Sequence, residues 1–413
     1  MTNNMIQFVE PGGLAGYIIV VLVVSALILI AWVIRKKAKI GTYTKEEEEQ
    51  MKSNLDLFKK KKLKKERIMK MTSNASSLYV HIPFCRQICS YCDFAKVIYQ
   101  DVFISDYFQS LFFELESFQS KKYKTIYIGG GTPSCLPLPI LENLLIKLTK
   151  LLYKNNYEFS IECNVEDITT DLLTLLKKYG VNRISIGVQT FQKKWIQLCG
   201  RTHTLNQAIQ NIQLASAYFE NINIDMIYAL PYQTLIDLKN DLSILLSLPI
   251  QHISYYSLII EKNTIFYRKF EDMDDALQAK MYRLIYQQLK KSGFYRYEIS
   301  NFAKKGFQCT HNLVYWTNQH YDAVGLNASG YQKNMRYTNT RNLTLYNQKN
   351  YQKEWVYLTK EDQIFEEIML HFRLDKGLSF QNFQKKFQLD FLKTYHDVLI
   401  ELLEKKLVRC TKT

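Results

Sequence analysis

Glycine and proline are scarce in this chain, 15 and 7 of 413 residues, while Lys, Asn, Ile and Tyr are plentiful. We read that imbalance as a genome-wide compositional bias, so the 14% of aromatic residues is not in itself evidence for a flat ligand. No RNA- or DNA-binding motif is present, and no nucleic acid partner is expected despite a formal charge of +15. A cysteine pairing pattern is missing too. Cys135, Cys163, Cys199, Cys309 and Cys410 are scattered, which argues against a disulfide-built secreted fold and fits a reducing cytosolic compartment. What remains, 47% apolar and 23% charged residues, is the make-up of a folded protein long enough for one large core and a smaller domain.

The positive charge is uneven. Between Arg35 and Lys70 stand 14 Lys/Arg against 6 Asp/Glu, a net of +8 and about half of the total. Just before it, Leu14 to Ile34 is a run of 21 residues without a charge, about the length that crosses a hydrocarbon core of roughly 30 Å. Arg35-Lys36-Lys37 follow, and only Glu10 is charged on the other side, so the positive-inside bias places residues 1–13 outside and the large domain in the cytoplasm. A signal peptide would carry its charges before the apolar run and a cleavage site after it. The expectation is a single transmembrane helix over 14–34, with a buried helix as the alternative, then a charged linker over 35–72. That linker is read as solvated chain, its basic clusters also able to lie on anionic lipid. A second reading takes the first 70 residues as a fused or mis-started extension, since Met71 sits just before the region that carries the chemistry.

That region opens on Tyr79-Val-His-Ile-Pro-Phe-Cys85-Arg-Gln-Ile-Cys89-Ser-Tyr-Cys92-Asp-Phe94. Three thiols at CxxxCxxC spacing can wrap one face of an iron–sulfur cluster and leave one iron open to a non-protein ligand. The alternatives are a zinc site, with His81 or a distant residue as fourth ligand, and three unconnected thiols.

From Ser77 onward short β-rich runs alternate with helical patterns, which predicts βα units around parallel strands. The strands are expected at Leu78–Ile82, Thr125–Ile128, Glu158–Glu162, Arg183–Val188, Asn223–Tyr228 and His252–Leu258. Helices are expected between them, for example Ile140–Leu152, Asp171–Lys178 and Leu205–Tyr218. Six units make a partial (β/α) barrel whose site lies at the C-terminal strand ends. Polar oddities gather there: the cysteine loop, Gly129-Gly130-Gly131-Thr132, Glu162 and Asn164, Gln189 with Arg201 beyond it, and Asp225. The glycines either admit a ligand to the backbone or make an ordinary turn. After Glu361 an apolar face through Ile364, Ile368 and Phe372, then Phe380–Phe387 and Phe391–Leu403, predicts helices. Lys405-Lys406-Leu407-Val408 looks like the start of a small wing.

With these motifs in place, Ser77 to Val408 resembles the radical S-adenosylmethionine (SAM) enzymes of the coproporphyrinogen dehydrogenase group, and within it the HemW-type haem chaperones. The oxidases of the group carry a further cysteine where this chain has Phe94. The chaperones carry HNxxYW, present here as His311-Asn312-Leu313-Val314-Tyr315-Trp316, and Tyr297-Glu298-Ile299-Ser300-Asn301-Phe302 also matches the group. The chain departs from the pattern at Val165, usually proline, at Ala229 and Tyr232, usually glycines, and over Tyr321 to Gly330.

The resemblance implies a [4Fe–4S] cluster on Cys85, Cys89 and Cys92, and SAM bound at its open iron. One electron into the sulfonium would give methionine and a 5′-deoxyadenosyl radical. It implies a nucleotide pocket of Tyr79, Gly130, Gly131, Thr132, Glu162, Gln189, Arg201 and Asp225. Glu162 would receive the amino group, while Arg201 suits a carboxylate and Asp225 the ribose. His311 would bind haem, a neutral imidazole being able to ligate its iron; a hydrogen-bonded core histidine is the alternative.

The implied architecture is a radical-SAM core over 73–295 and a C-terminal α+β, winged-helix-like domain over 296–413. The implied function is haem binding and transfer to acceptor proteins such as membrane cytochromes, with flavodoxin or ferredoxin as electron donor and a domain held at the cytoplasmic membrane face. Oxygen-independent decarboxylation of coproporphyrinogen III is the alternative.

Overall fold

The computed structural model describes residues 4–8, 75–351 and 353–412. Parallel pairing dominates its centre. The strands Ser77–Ile82, Thr125–Gly130, Glu158–Asn164, Arg183–Gln189, Ile222–Tyr228 and His252–Ser257 lie side by side in chain order. Each lies where the alternation predicts, within two residues at either end. Asn301–Ala303 and Tyr295–Glu298 extend this sheet antiparallel at one edge, and Asp322–Val324 pairs parallel with Ser77–Ile82 at the other. The result is a partial (β/α) barrel that does not close on itself.

Local sequence explains the crossovers. In Leu138–Thr149, Leu141, Leu144, Leu145 and Leu148 are fully buried, one stripe at helical spacing laid against the sheet. Thr170–Lys178 starts where the Thr169 hydroxyl accepts from the Leu172 N–H, and it ends on Lys177 and Lys178, whose charges suit the carbonyl end of a helix. Leu235–Leu246 begins with a reciprocal cap between Thr234 and Asp237.

The C-terminal unit has its own core of Ile364, Ile368, Phe372, Phe383, Phe387, Phe391, Leu399, Leu402 and Val408. Its helices are Lys360–Arg373 and Phe380–Phe387, then Phe391–Thr394 and His396–Glu404. The last two were expected as one helix. Tyr395 interrupts it at φ −117°, its ring against Phe391 at 4.9 Å and Phe383 at 6.4 Å. Val408–Lys412 is a strand that begins at the last residue of the segment read as the start of a wing.

The expected membrane topology is corrected. Asn4–Phe8, read as extracytoplasmic, is the middle strand of a three-stranded sheet, antiparallel to Val408–Lys412 on one side and Leu378–Ser379 on the other. A segment hydrogen-bonded into that sheet cannot lie across a bilayer from the domain it completes. Among the described residues no helix is long and apolar enough to cross a membrane. The run 14–34 and the linker 35–72 lie outside the described residues. The spanning helix, the membrane as a partner and the tethered location are therefore withdrawn.

Candidate functional site

The cysteine loop is fastened at both ends and in the middle. Phe84–Cys85 pairs with Val97–Ile98, with the Val97 N–H on Pro83 O at 2.7 Å and the Tyr99 N–H on Cys85 O at 2.8 Å. At its centre the Ser90 N–H donates to Cys199 O at 3.0 Å, and Ser90 O accepts from the Phe266 N–H at 3.1 Å. All three thiols are free and face one cavity of about 570 Å³ at the C-terminal strand ends. Thr132 Oγ1 donates to Cys85 Sγ at 3.5 Å, and Arg201 Nη1 lies 3.8 Å from Cys89 Sγ. Lys96 Nζ donates to Cys92 O.

His81 does not join them. Its Nε2 bonds Ala95 O at 2.9 Å and its Nδ1 bonds the Tyr79 hydroxyl at 3.0 Å. Among the described residues no three His, Cys, Asp or Glu side chains converge on one point as a single metal ion needs. Zinc would require four donors within about 2.3 Å of one centre, whereas each thiolate on a cluster takes a separate iron. Three thiols on one short, fastened loop, with His81 engaged elsewhere, suit a cluster that takes one iron per sulfur.

The glycines serve the protein's own packing first. Gly130 has φ +121°, and a Cβ there would stand 2.7 Å from the His81 ring; one on Gly131 would stand 2.7 Å from the Pro83 carbonyl. The missing side chains let this strand end lie against the start of the cysteine loop. Both glycines still line the cavity, and the Gly130 N–H donates to Glu162 Oε2 at 3.0 Å.

Glu162 is one of four acidic residues on the wall, with Asp93, Asp225 and Glu261. Its Oε1 accepts from the Tyr127 hydroxyl at 2.9 Å. Burial, and then the nearby Asp225, push its carboxyl up to about 7. Among the described residues no Lys or Arg forms an ion pair with it, so a ligand ammonium would find a carboxylate already held by two donors. Asp225 accepts from Ser185 Oγ at 2.7 Å and Asn223 Nδ2 at 2.8 Å. Arg201 donates to Asn164 Oδ1 at 2.9 Å and to Gly187 O at 2.5 Å, while its buried Nε has no hydrogen-bond partner among the described residues. Gln189 reaches the cavity from a left-handed position, φ 71°, at a register shift in its strand.

The structure thus brings together Cys85, Cys89, Cys92, Gly130, Gly131, Thr132, Glu162, Gln189, Arg201 and Asp225. Two expected residues stand back from the lining. Tyr79 lies behind it, stacked on Tyr127 at 6.3 Å. His311 is buried with both ring nitrogens in contact with hydroxyls, Thr125 Oγ1 and Tyr315 OH, each at 2.7 Å. An iron ligand needs an accessible nitrogen with a free lone pair, and this arrangement offers none.

Other wall residues went unremarked in the sequence: Tyr127, Arg183, Ser185, Asn223 and Tyr256. Arg183 is 1% exposed, and its Nε and Nη1 have no hydrogen-bond partner among the described residues. The signal for it was available. In Arg183-Ile-Ser185-Ile-Gly187-Val-Gln189 every polar or small residue faces the cavity, and Ile184, Ile186 and Val188 pack the other way.

The left-handed conformations of Ala229 (φ 61°) and Tyr232 (φ 62°) fall where the group usually has glycine. The backbone shape is kept here without the residue that suits it.

Residues 79–245 match the model of the radical SAM superfamily, a domain type that holds a [4Fe–4S] cluster and SAM, and 358–412 match the HemN C-terminal domain. The fold is similar to coproporphyrinogen III oxidase (HemN) from Escherichia coli, with TM-score 0.70 and 23% identity over 82% of this chain and 85% of that one. In sequence it is 40% identical to the haem chaperone HemW of Lactococcus lactis, over 82% of this chain and 92% of the relative. Against HemW of Bacillus subtilis the figures are 36%, 80% and 92%, and against HemW of Escherichia coli 36%, 72% and 82%. With its cysteine loop, barrel cavity and C-terminal unit in that order, this chain belongs to the HemW family of haem chaperones within the radical SAM superfamily.

Proposed function

We propose that this protein binds haem and delivers it to acceptor proteins, using a core that holds a [4Fe–4S] cluster on Cys85, Cys89 and Cys92 with SAM in the adjoining cavity. The observation that carries the reading is the 40% identity to a haem chaperone across 92% of that relative's length. When bound, the cluster and SAM supply one-electron cleavage of a sulfonium C–S bond; the protein's part is to hold, orient and shield them. Glu162 would receive the ammonium of SAM and Asp225 the ribose hydroxyls. Arg201 would place positive charge beside Cys89 and the carboxylate end of the ligand. Phe94, 72% exposed on the cavity rim, stands where the oxidases have another cysteine. The oxidase reading rests on fold alone, which does not transfer an activity.

The test is anaerobic reconstitution followed by iron, sulfide, SAM and haem measurements on one sample, then transfer of bound haem to an apo-cytochrome. Haem uptake and transfer are expected, with no vinyl product from coproporphyrinogen III under reducing conditions. Formation of that product without haem transfer overturns the reading.

A further inference from the structure

His311 is fixed from every side. Thr125 donates its hydroxyl hydrogen to Ser77 Oγ at 2.7 Å, so it has only lone pairs to offer the imidazole 2.7 Å away. Nδ1 therefore carries the ring hydrogen, and Nε2 accepts from the Tyr315 hydroxyl. Burial, with the Arg183 guanidinium as second cause, lowers the imidazole to about 3 and keeps it neutral. The main chain is held as well: Glu158 accepts the N–H of Thr310 at 2.7 Å and of His311 at 3.1 Å. What the ring faces is Tyr127, stacked on it at 5.3 Å and 28°. Tyr127 in turn donates to Glu162 Oε1.

We propose that His311 is a positioning residue for the SAM pocket: held between Thr125 and Tyr315, its imidazole sets the plane of the Tyr127 ring and so aims the Glu162 carboxylate. The histidine of the HNxxYW motif thereby acts on the nucleotide cavity and not on haem iron. This inference rests on reading the cavity as a SAM site.

The test uses the full chain with its cluster reconstituted. SAM affinity is measured against pH by equilibrium dialysis, and haem by titration of its Soret absorption. The variants are His311→Ala, Thr125→Val, Tyr315→Phe and Tyr127→Phe. Thr125→Val and Tyr315→Phe change one hydroxyl each and keep the test open should His311→Ala fail to fold. SAM binding is expected to weaken about tenfold in all four, the scale of one well-placed hydrogen bond.

The pH midpoint of SAM binding is a second readout, one that a general loss of stability does not move. The groups acting on the Glu162 carboxylate are Asp225, Arg183, Tyr127 and the Gly130 N–H. Losing the Tyr127 bond disfavours its charged form, so the midpoint moves upward. Haem affinity and spectrum remain those of the parent. Parental SAM affinity in Thr125→Val and Tyr315→Phe overturns the inference, as does a haem spectrum altered only in His311→Ala. A parent protein that takes up no SAM overturns the reading of the cavity itself, a result distinct from variants that bind as the parent does.

Discussion

Arg201 Nη1 lies 3.8 Å from Cys89 Sγ, and the same nitrogen donates to Asn164 Oδ1 at 2.9 Å. The guanidinium is thus held over one thiol by a neighbouring strand end and cannot swing away without leaving Asn164 unsatisfied. A buried positive charge beside a sulfur offsets the negative charge that a cluster-bound sulfur carries. Arg201→Gln is expected to assemble the cluster and lose its iron several-fold faster to a chelator. Loss at the parental rate, followed by iron content, would remove Arg201 from this role.

Glu162 makes SAM binding depend on pH. Its carboxyl titrates at about 7, raised by burial and by Asp225. Only the ionised form pairs with an ammonium, so affinity is full above that value and falls as pH drops through it. Glu162→Gln is expected to bind weakly and flatly with pH, whereas a sloping profile in that variant would assign the titration elsewhere.

A chain beginning at Met71 lacks Asn4–Phe8, the strand between Val408–Lys412 and Leu378–Ser379. Its removal leaves two strands with no neighbour in common and exposes their edges. Amide exchange at Val408–Lys412 is expected to accelerate at least tenfold, while SAM binding in the barrel is unchanged. Equal exchange rates in the two forms would mean that the strand adds nothing to the domain.

Tyr232 is 83% exposed at φ 62°, so its side chain gives little in return for the strained backbone. Tyr232→Gly is expected to raise stability by about 0.5–1 kcal/mol, the left-handed penalty less the greater freedom of glycine when unfolded. Denaturant unfolding measures this, and a lower midpoint would show that the ring contact with Phe270, at 6.0 Å, outweighs the strain.

The barrel was legible because its signals are local. Period-two runs such as Arg183–Gln189 and the leucine stripe of Leu138–Thr149 each specify an element without reference to the rest of the chain. The cavity residues were legible because they sit on successive strand ends. The burial of His311 was not legible because motif spacing does not report depth; Thr125, its partner, lies 186 positions away. The membrane anchor was misjudged for a similar reason. Length and apolarity describe 14–34 taken alone, and the partners of Asn4–Phe8 stand some four hundred residues downstream.

Asp322–Val324 covers the outer edge of Ser77–Ile82, the strand that launches the cysteine loop. The first barrel strand to leave the ribosome is thus flanked by one made some 240 residues later. At about 5–20 residues per second, that edge stays bare for on the order of ten seconds or longer. Until then the strand that launches the cysteine loop has a sheet neighbour on one side only, Thr125–Gly130.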